Sequence, residues 1–174
     1  MRWMLAVALA GCSRGTPPTA PPSPQEPLEL APPPVSDLSN LGSGDFRIAF
    51  TLRTTAQVGS AVINQRAECN HGNFWGVRTG PGGSIGVETD DNASYTVLVA
   101  DGTTRVNDGA PHRVVITRRQ GMLSIVVDNG QPFRAPSRAS FGALAKLSIG
   151  VDPCDGVDGT MPLDGTVTDI VATR

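Results

Sequence analysis

Asp152, Asp155 and Asp158, set around Gly156 and Gly159, are the densest group of hard oxygen donors in the chain. Calcium takes six to eight oxygens, largely from carboxylates and loop carbonyls, so this loop is a candidate calcium site. Asp90 and Asp91 form a weaker candidate. The spacing is not that of an EF-hand, whose acids alternate before its glycine. Asp and Gly are equally the residues of solvated turns. The two histidines, His71 and His112, stand in no metal or triad spacing. His112 begins an alternating run and reads as a side chain that hydrogen-bonds locally. No Gly-x-Ser-x-Gly elbow is present. The glycines from Gly80 to Gly86 lack the lysine and following helix of a phosphate cradle.

The three cysteines fall into two roles. Cys12 follows Arg2 and the apolar run Trp3–Ala10, which is far too short to span a bilayer as a helix of roughly 20 residues. A positive residue followed by a short apolar stretch is the form of a secretory signal. Leu9-Ala10-Gly11-Cys12 resembles the bacterial lipoprotein box, in which the cysteine is acylated and becomes the first residue. The resemblance implies cleavage after residues 1–11 and a lipid anchor on Cys12. Ser13, where an acidic residue would favour inner-membrane retention, implies the outer membrane, with the chain periplasmic or surface-exposed in the cell envelope. Cys69 and Cys154 are then an even pair in an exported chain, which favours a disulfide between them.

Those side chains need a scaffold, and composition divides it in two. The chain has 174 residues, 20 Gly, 15 Pro, 17% charged residues and a net charge of −2. Near-neutrality argues against nucleic acid as a partner. Nine of the prolines lie between Ser13 and Ser36, so residues 12–36 read as an extended tether with no core to bury. Residues 37–174 alternate with period two. Phe46, Ile48, Phe50 and Leu52 face one way along 46–53, and further strands are predicted at 60–65, 74–78, 84–88, 94–100, 112–118, 122–127, 146–151 and 165–172. Turn residues separate them, most sharply at Val127-Asp128-Asn129-Gly130, where Asn-Gly suits a type I′ hairpin. One helical turn is expected at 140–146. The fold class is all-β, an antiparallel β-sandwich of the jelly-roll kind.

Asn107-Asp108-Gly109, His112-Arg113-Val114, Arg118 and Val127-Asp128-Asn129-Gly130 resemble the central motif of laminin G-like domains, which belong to the concanavalin A-like lectin/glucanase jelly rolls. The opening strand, Ile63–Arg66, Phe74–Arg78 and Leu163–Ile170 extend the resemblance over nearly all of residues 41–174. Pro111 stands where the family often has Trp, and Asn129 is inserted between Asp128 and Gly130. The resemblance implies loops at a sandwich rim that bind calcium and a face that binds glycan or protein. An aromatic platform with polar neighbours is what a sugar site needs, which singles out Trp75, the only Trp beyond the leader, with Arg78 and Tyr95. Related glucanases carry Glu-x-Asp-x-x-Glu, and here Glu88-Thr89-Asp90 ends in Ala93, so no catalytic residue is assigned. The expectation is a non-catalytic envelope binding module. The alternatives are a structural assembly role and, third, a glycoside-active enzyme.

Overall fold

The computed structural model describes residues 41–100, 104–157 and 159–174. The leader (1–11), Cys12, the proline tract to residue 36 and Asp158 lie outside the described residues. Among the described residues there are ten strands: β1 (Phe46–Thr54), β2 (Ser60–Gln65), β3 (Asn73–Thr79), β4 (Ile85–Asp91), β5 (Tyr95–Ala100), β6 (His112–Arg119), β7 (Met122–Val127), β8 (Phe133–Pro136), β9 (Ser148–Ile149) and β10 (Gly165–Thr173). They form two five-stranded antiparallel sheets, ordered β10-β1-β6-β7-β8 and β5-β4-β3-β2-β9. The fold is the expected all-β sandwich.

Period-two alternation places the core. Phe46, Ile48, Phe50 and Leu52 of β1, Val114 and Ile116 of β6, and Leu123, Ile125 and Val127 of β7 face inward. They meet Ile63, Trp75, Val77, Ile85, Val87 and Leu98 from the other sheet. Each such side chain contributes about 1.5–3 kcal/mol relative to exposure. In β5 the parity is the reverse of what its large residues suggest. Tyr95, Val97 and Val99 share a face as expected, but that face is exposed, while Leu98 and Ala100 point inward.

Several local expectations are corrected. The segment 140–146 forms no helical turn. It runs irregularly across the sandwich end, with Phe141 buried. Strand β8 was not foreseen, because Pro136 cannot donate to a ladder, and an edge strand tolerates that. The predicted strand at 146–151 shrinks to two residues, since Gly150 turns with φ of 73°. Near residue 128 the left-handed residues are Asp128 and Asn129, one position earlier than Asn-Gly would place them. The β6–β7 hairpin turns on Gln120 and Gly121, both left-handed, as a two-residue primed turn requires.

Candidate functional site

The outer face of the β5-β4-β3-β2-β9 sheet is set by register. Phe74, Asp90 and Tyr95 form one row across β3, β4 and β5, Gly76, Glu88 and Val97 the next, and Arg78, Gly86 and Val99 a third. Trp75 belongs to the opposite parity. It is 1% exposed, and its indole N–H donates to Gln65 Oε1 at 2.7 Å inside the sandwich. The expectation of a sugar platform at Trp75 is therefore corrected, because a ligand on the sheet surface cannot reach it. Phe74 does point outward, yet the Arg66 guanidinium lies 3.9 Å over its ring and it too is buried.

Two loops cover the β2–β3 side of this face. The Cys69–Cys154 disulfide ties them together, with Cα atoms 4.7 Å apart, so the expected bridge is present. In the first loop, Arg66 donates to the carbonyls of Glu68 (3.1 Å) and Asn70 (2.7 Å). In the second, Asp152 Oδ1 accepts from Arg78 at 3.1 Å and from the Cys154 amide at 2.8 Å. Arg78 also donates to Thr160 Oγ1 at 2.9 Å. Arg78 thus clamps the second loop to β3 and is a positioning residue more than an open contact.

This arrangement bears on two of the three residues of the calcium expectation, Asp152 and Asp155. Asp152 is buried and holds an arginine, and Asp155 Oδ2 accepts the Asp152 amide at 2.8 Å. Among the described residues Asp155 Oδ1 is a buried oxygen without a partner there, and no three His, Cys, Asp or Glu side chains gather as a metal cluster. The guanidinium of Arg78 already pairs with Asp152 Oδ1, and Asp155 Oδ1 is the oxygen left to a cation.

Beside the loops opens a cleft of about 340 Å³, lined chiefly by Arg66, Glu68, Asn70, His71, Asn73 and Asn92. His71 is largely exposed. Its Nδ1 lies 2.8 Å from Asp90 Oδ2, and its ring meets Tyr95 edge-on at 5.3 Å between centroids. Asp90 Oδ1 accepts the Asn92 amide at 2.8 Å, which fixes the rim of the cleft. Asn73 is spent, bonding Ala143 and Gly142. The Asn92 side-chain amide and Asn70 Oδ1 make no hydrogen bond among the described residues and face no internal task. Tyr95 is half exposed. Burial, then the Glu88 charge, holds its hydroxyl protonated to above its ordinary pKa, so it is a hydrogen-bond donor across the physiological range. Of the three expected ligand residues, the structure leaves Tyr95 at the surface, gives Arg78 to the loop and Trp75 to the core. His71, Asn70 and Asn92 were missed. The one signal for them was the polar run Glu68–Asn73 around a bridged cysteine.

His112 proves structural, as its position suggested. Its Nδ1 lies 2.6 Å from Asp128 Oδ2 and its Nε2 2.9 Å from Asp108 Oδ1. Burial opposes its charge, but the two carboxylates outweigh burial and raise its pKa.

A family model described as "Laminin G domain" matches residues 52–151, more than half of the chain. No curated protein matches the chain. Mouse laminin alpha1 chain, domains LG4-5, superposes with a TM-score of 0.61 at 15% identity, over 78% of this chain and 36% of that one. The Ruminococcus gnavus IT-sialidase CBM40 gives 0.61 at 13% identity, over 76% of this chain and 77% of that one. The same bacterial domain bound to alpha2,3 sialyllactose gives 0.57 at 13% identity, over 74% of each chain. This chain thus spans about a third of the mouse laminin fragment. At these identities the likeness to solved structures is one of fold, and it agrees with the family match on the same sandwich: the chain belongs to the laminin G domain family.

Proposed function

We propose that this protein is a lipid-anchored envelope module that binds carbohydrate in the cleft beside Tyr95, and that it does so without catalysis. The observation that carries the reading is the pairing of an exposed, edge-braced tyrosine with a concave rim that offers the unbonded Asn92 side-chain amide and Asn70 Oδ1. A ring that stacks on a sugar face and amides that bond its hydroxyls are the usual means of fixing a small polar ligand. The solved Ruminococcus gnavus domain with sialyllactose supports the carbohydrate class. Here, however, the arginines are committed: Arg66 to its loop and Arg78 to Asp152. The uncommitted Asn92 amide and Asn70 oxygen favour a neutral glycan over an acidic one. Glu88 and Asp90 share the outer face, but Glu88 leans on Arg78 at 3.9 Å, and Asp90 is covered with both oxygens bonded. Glycosidic hydrolysis needs two carboxylates open to substrate. The tether of residues 12–36 and the anchor on Cys12 complete the reading, lifting the sandwich off its membrane.

A glycan array probed with the full chain tests the proposal. A signal for a defined neutral glycan that falls about tenfold in Tyr95→Ala, at unchanged melting temperature, is the expected outcome. Silence across the array, or a signal indifferent to Tyr95→Ala and Asn92→Ala, would assign the module to envelope assembly instead.

A further inference from the structure

The opposite sheet carries a different chemistry. Strands β1, β6, β7 and β8 contain Arg47, Arg53, Arg113, Arg118, Arg119 and Arg134 and no Asp or Glu. By parity all except Arg118 lie on the outer face, since their neighbours Ile48, Leu52, Val114 and Leu123 fill the core. Register fixes their spacing. Arg47 lies opposite Thr117, which lies opposite Ser124, which lies opposite Arg134. The two arginines are therefore about 14 Å apart across three strand spacings, with hydroxyls between them. Arg119 stands one row beyond on one side, and on the other Arg113 follows about 13 Å and Arg53 about 20 Å along the strands. Among the described residues none of these five outer arginines is in an ion pair.

The bordering carboxylates are engaged in local hydrogen bonds and pair with none of the outer arginines. Asp45 accepts the Gln120 amide at 2.7 Å, Asp128 takes His112 and the Arg113 amide, and Asp169 accepts from Thr168. Arg47, Arg119 and Arg118 also line a cleft of about 370 Å³ at the β1–β6 end. There Arg118 turns inward, 4% exposed, bonded to the Ala139 carbonyl at 2.5 Å and with Nε unpartnered among the described residues. Its charge adds to the field at that end, offset in part by Asp45, which lines the same cleft.

We propose that this face docks on an anionic phospholipid headgroup surface. The array spreads in two dimensions over four strands, which matches a layer of phosphates better than a single threaded chain. The outer positions between the arginines are Ala49, Thr51, Val115, Thr117, Ser124 and Val126. They offer no aromatic ring on which a sugar could stack and no side-chain amide. Guanidinium groups pair with phosphate oxygens two bonds at a time. The proposal is independent of the glycan cleft, which lies on the other sheet.

The test is co-sedimentation of the full chain, carrying Cys12→Ser so that no acyl chain contributes. The vesicles are phosphatidylcholine alone and an equal mixture of phosphatidylcholine with phosphatidylglycerol. Each arginine near an anionic surface is worth about fivefold in partitioning, so Arg47→Gln/Arg119→Gln/Arg134→Gln should lower binding to the mixed vesicles on the order of a hundredfold. Added salt should weaken it as well. Arg134→Gln alone, at an exposed edge strand, should cost about fivefold and guards against a triple variant that does not fold. Tyr95→Ala should change nothing, which separates this face from the glycan site. Equal binding to both vesicle types, or indifference to Arg134→Gln, would overturn the proposal. So would capture of the soluble polyanions heparin or duplex DNA in preference to the mixed vesicles.

Discussion

Cys69 is exposed, and an exposed residue ordinarily changes stability by no more than about 0.5 kcal/mol when substituted. Cys69→Ser should nevertheless cost about 4 kcal/mol, because the bond closes a loop across a sequence separation of 85. The magnitude follows from the unfolded chain: removing the link restores loop-closure entropy that grows with the logarithm of loop length. The Cα separation of 4.7 Å lies within the range of unforced bridges, so no native strain needs to be deducted. For a domain of this size, that cost lowers the melting temperature by roughly 12–16 °C. The assay is thermal unfolding of the wild type, Cys69→Ser, Cys154→Ser and the double variant, with and without reductant. Because one bond is removed in each case, the two single variants and the double should melt within a degree or two of one another. Reductant should bring the wild type to the same value and leave the variants unmoved. Additive losses would mean that the two residues act as separate packing groups. A drop below about 1 kcal/mol would refute the loop-entropy argument itself. The folded loops should outlast reduction near their native shape, since Arg66 and Arg78 hold them independently.

Three further outcomes are expected. Trp75→Phe leaves Gln65 Oε1 unpartnered in a sealed interior, and urea unfolding should show a loss of about 1–3 kcal/mol from that alone, with glycan binding per folded molecule unchanged. The pKa of His112 is raised above 6.5, so the stability it contributes is fully present below that pH and is lost as pH rises through its folded value. The pKa of Asp108, lowered from 3.8 first by its bond to His112, contributes stability above 3.8 that is lost as pH falls through its folded value. Unfolding free energy measured against pH should fall on the alkaline side of 6.5, and His112→Asn should flatten that limb. Millimolar calcium should leave the melting temperature unchanged, because Arg78 already neutralises Asp152; a rise reversed by chelator would contradict this.

Strands were legible in the sequence wherever one face is apolar and the other is not. Ser60–Gln65 and Met122–Val127 fold with the expected bounds, the second read from its near-continuous apolar run. The reading fails where parity is ambiguous. Phe74 and Trp75 are both large and apolar, so sequence alone does not say which enters the core. Val77, buried two residues on, settles it for Trp75. Tyr95, Val97 and Val99 show the converse error, with bulky residues left on the surface because Leu98 and Ala100 suffice inside. Of the candidate site, the cysteine pair was legible because export makes pairing the default state of two thiols. The role of Arg78 was not, since Asp152 reaches it only through the loop that the disulfide folds back.

The arginine face marks a deeper limit, because charge summed along a chain discards the geometry that gives charge its effect. A net −2 over 174 residues is the figure from which a polyanion partner would be dismissed. Yet Arg47 and Arg134 are 87 positions apart in sequence and occupy one row of a sheet. Each alone is the polar half of an alternating strand, an arginine on the solvent side that needs no explanation. Only the order β1-β6-β7-β8, with its register, adds them into one field, while Glu88, Asp90, Asp91 and Asp152 gather on the sheet and loops opposite. At a separation greater than the Debye length of about 8 Å, the acidic side does not screen the basic one. Two faces of opposite sign can therefore act on different partners while the total stays near zero, and the pairing of strands, more than the composition, determines what this sandwich can touch.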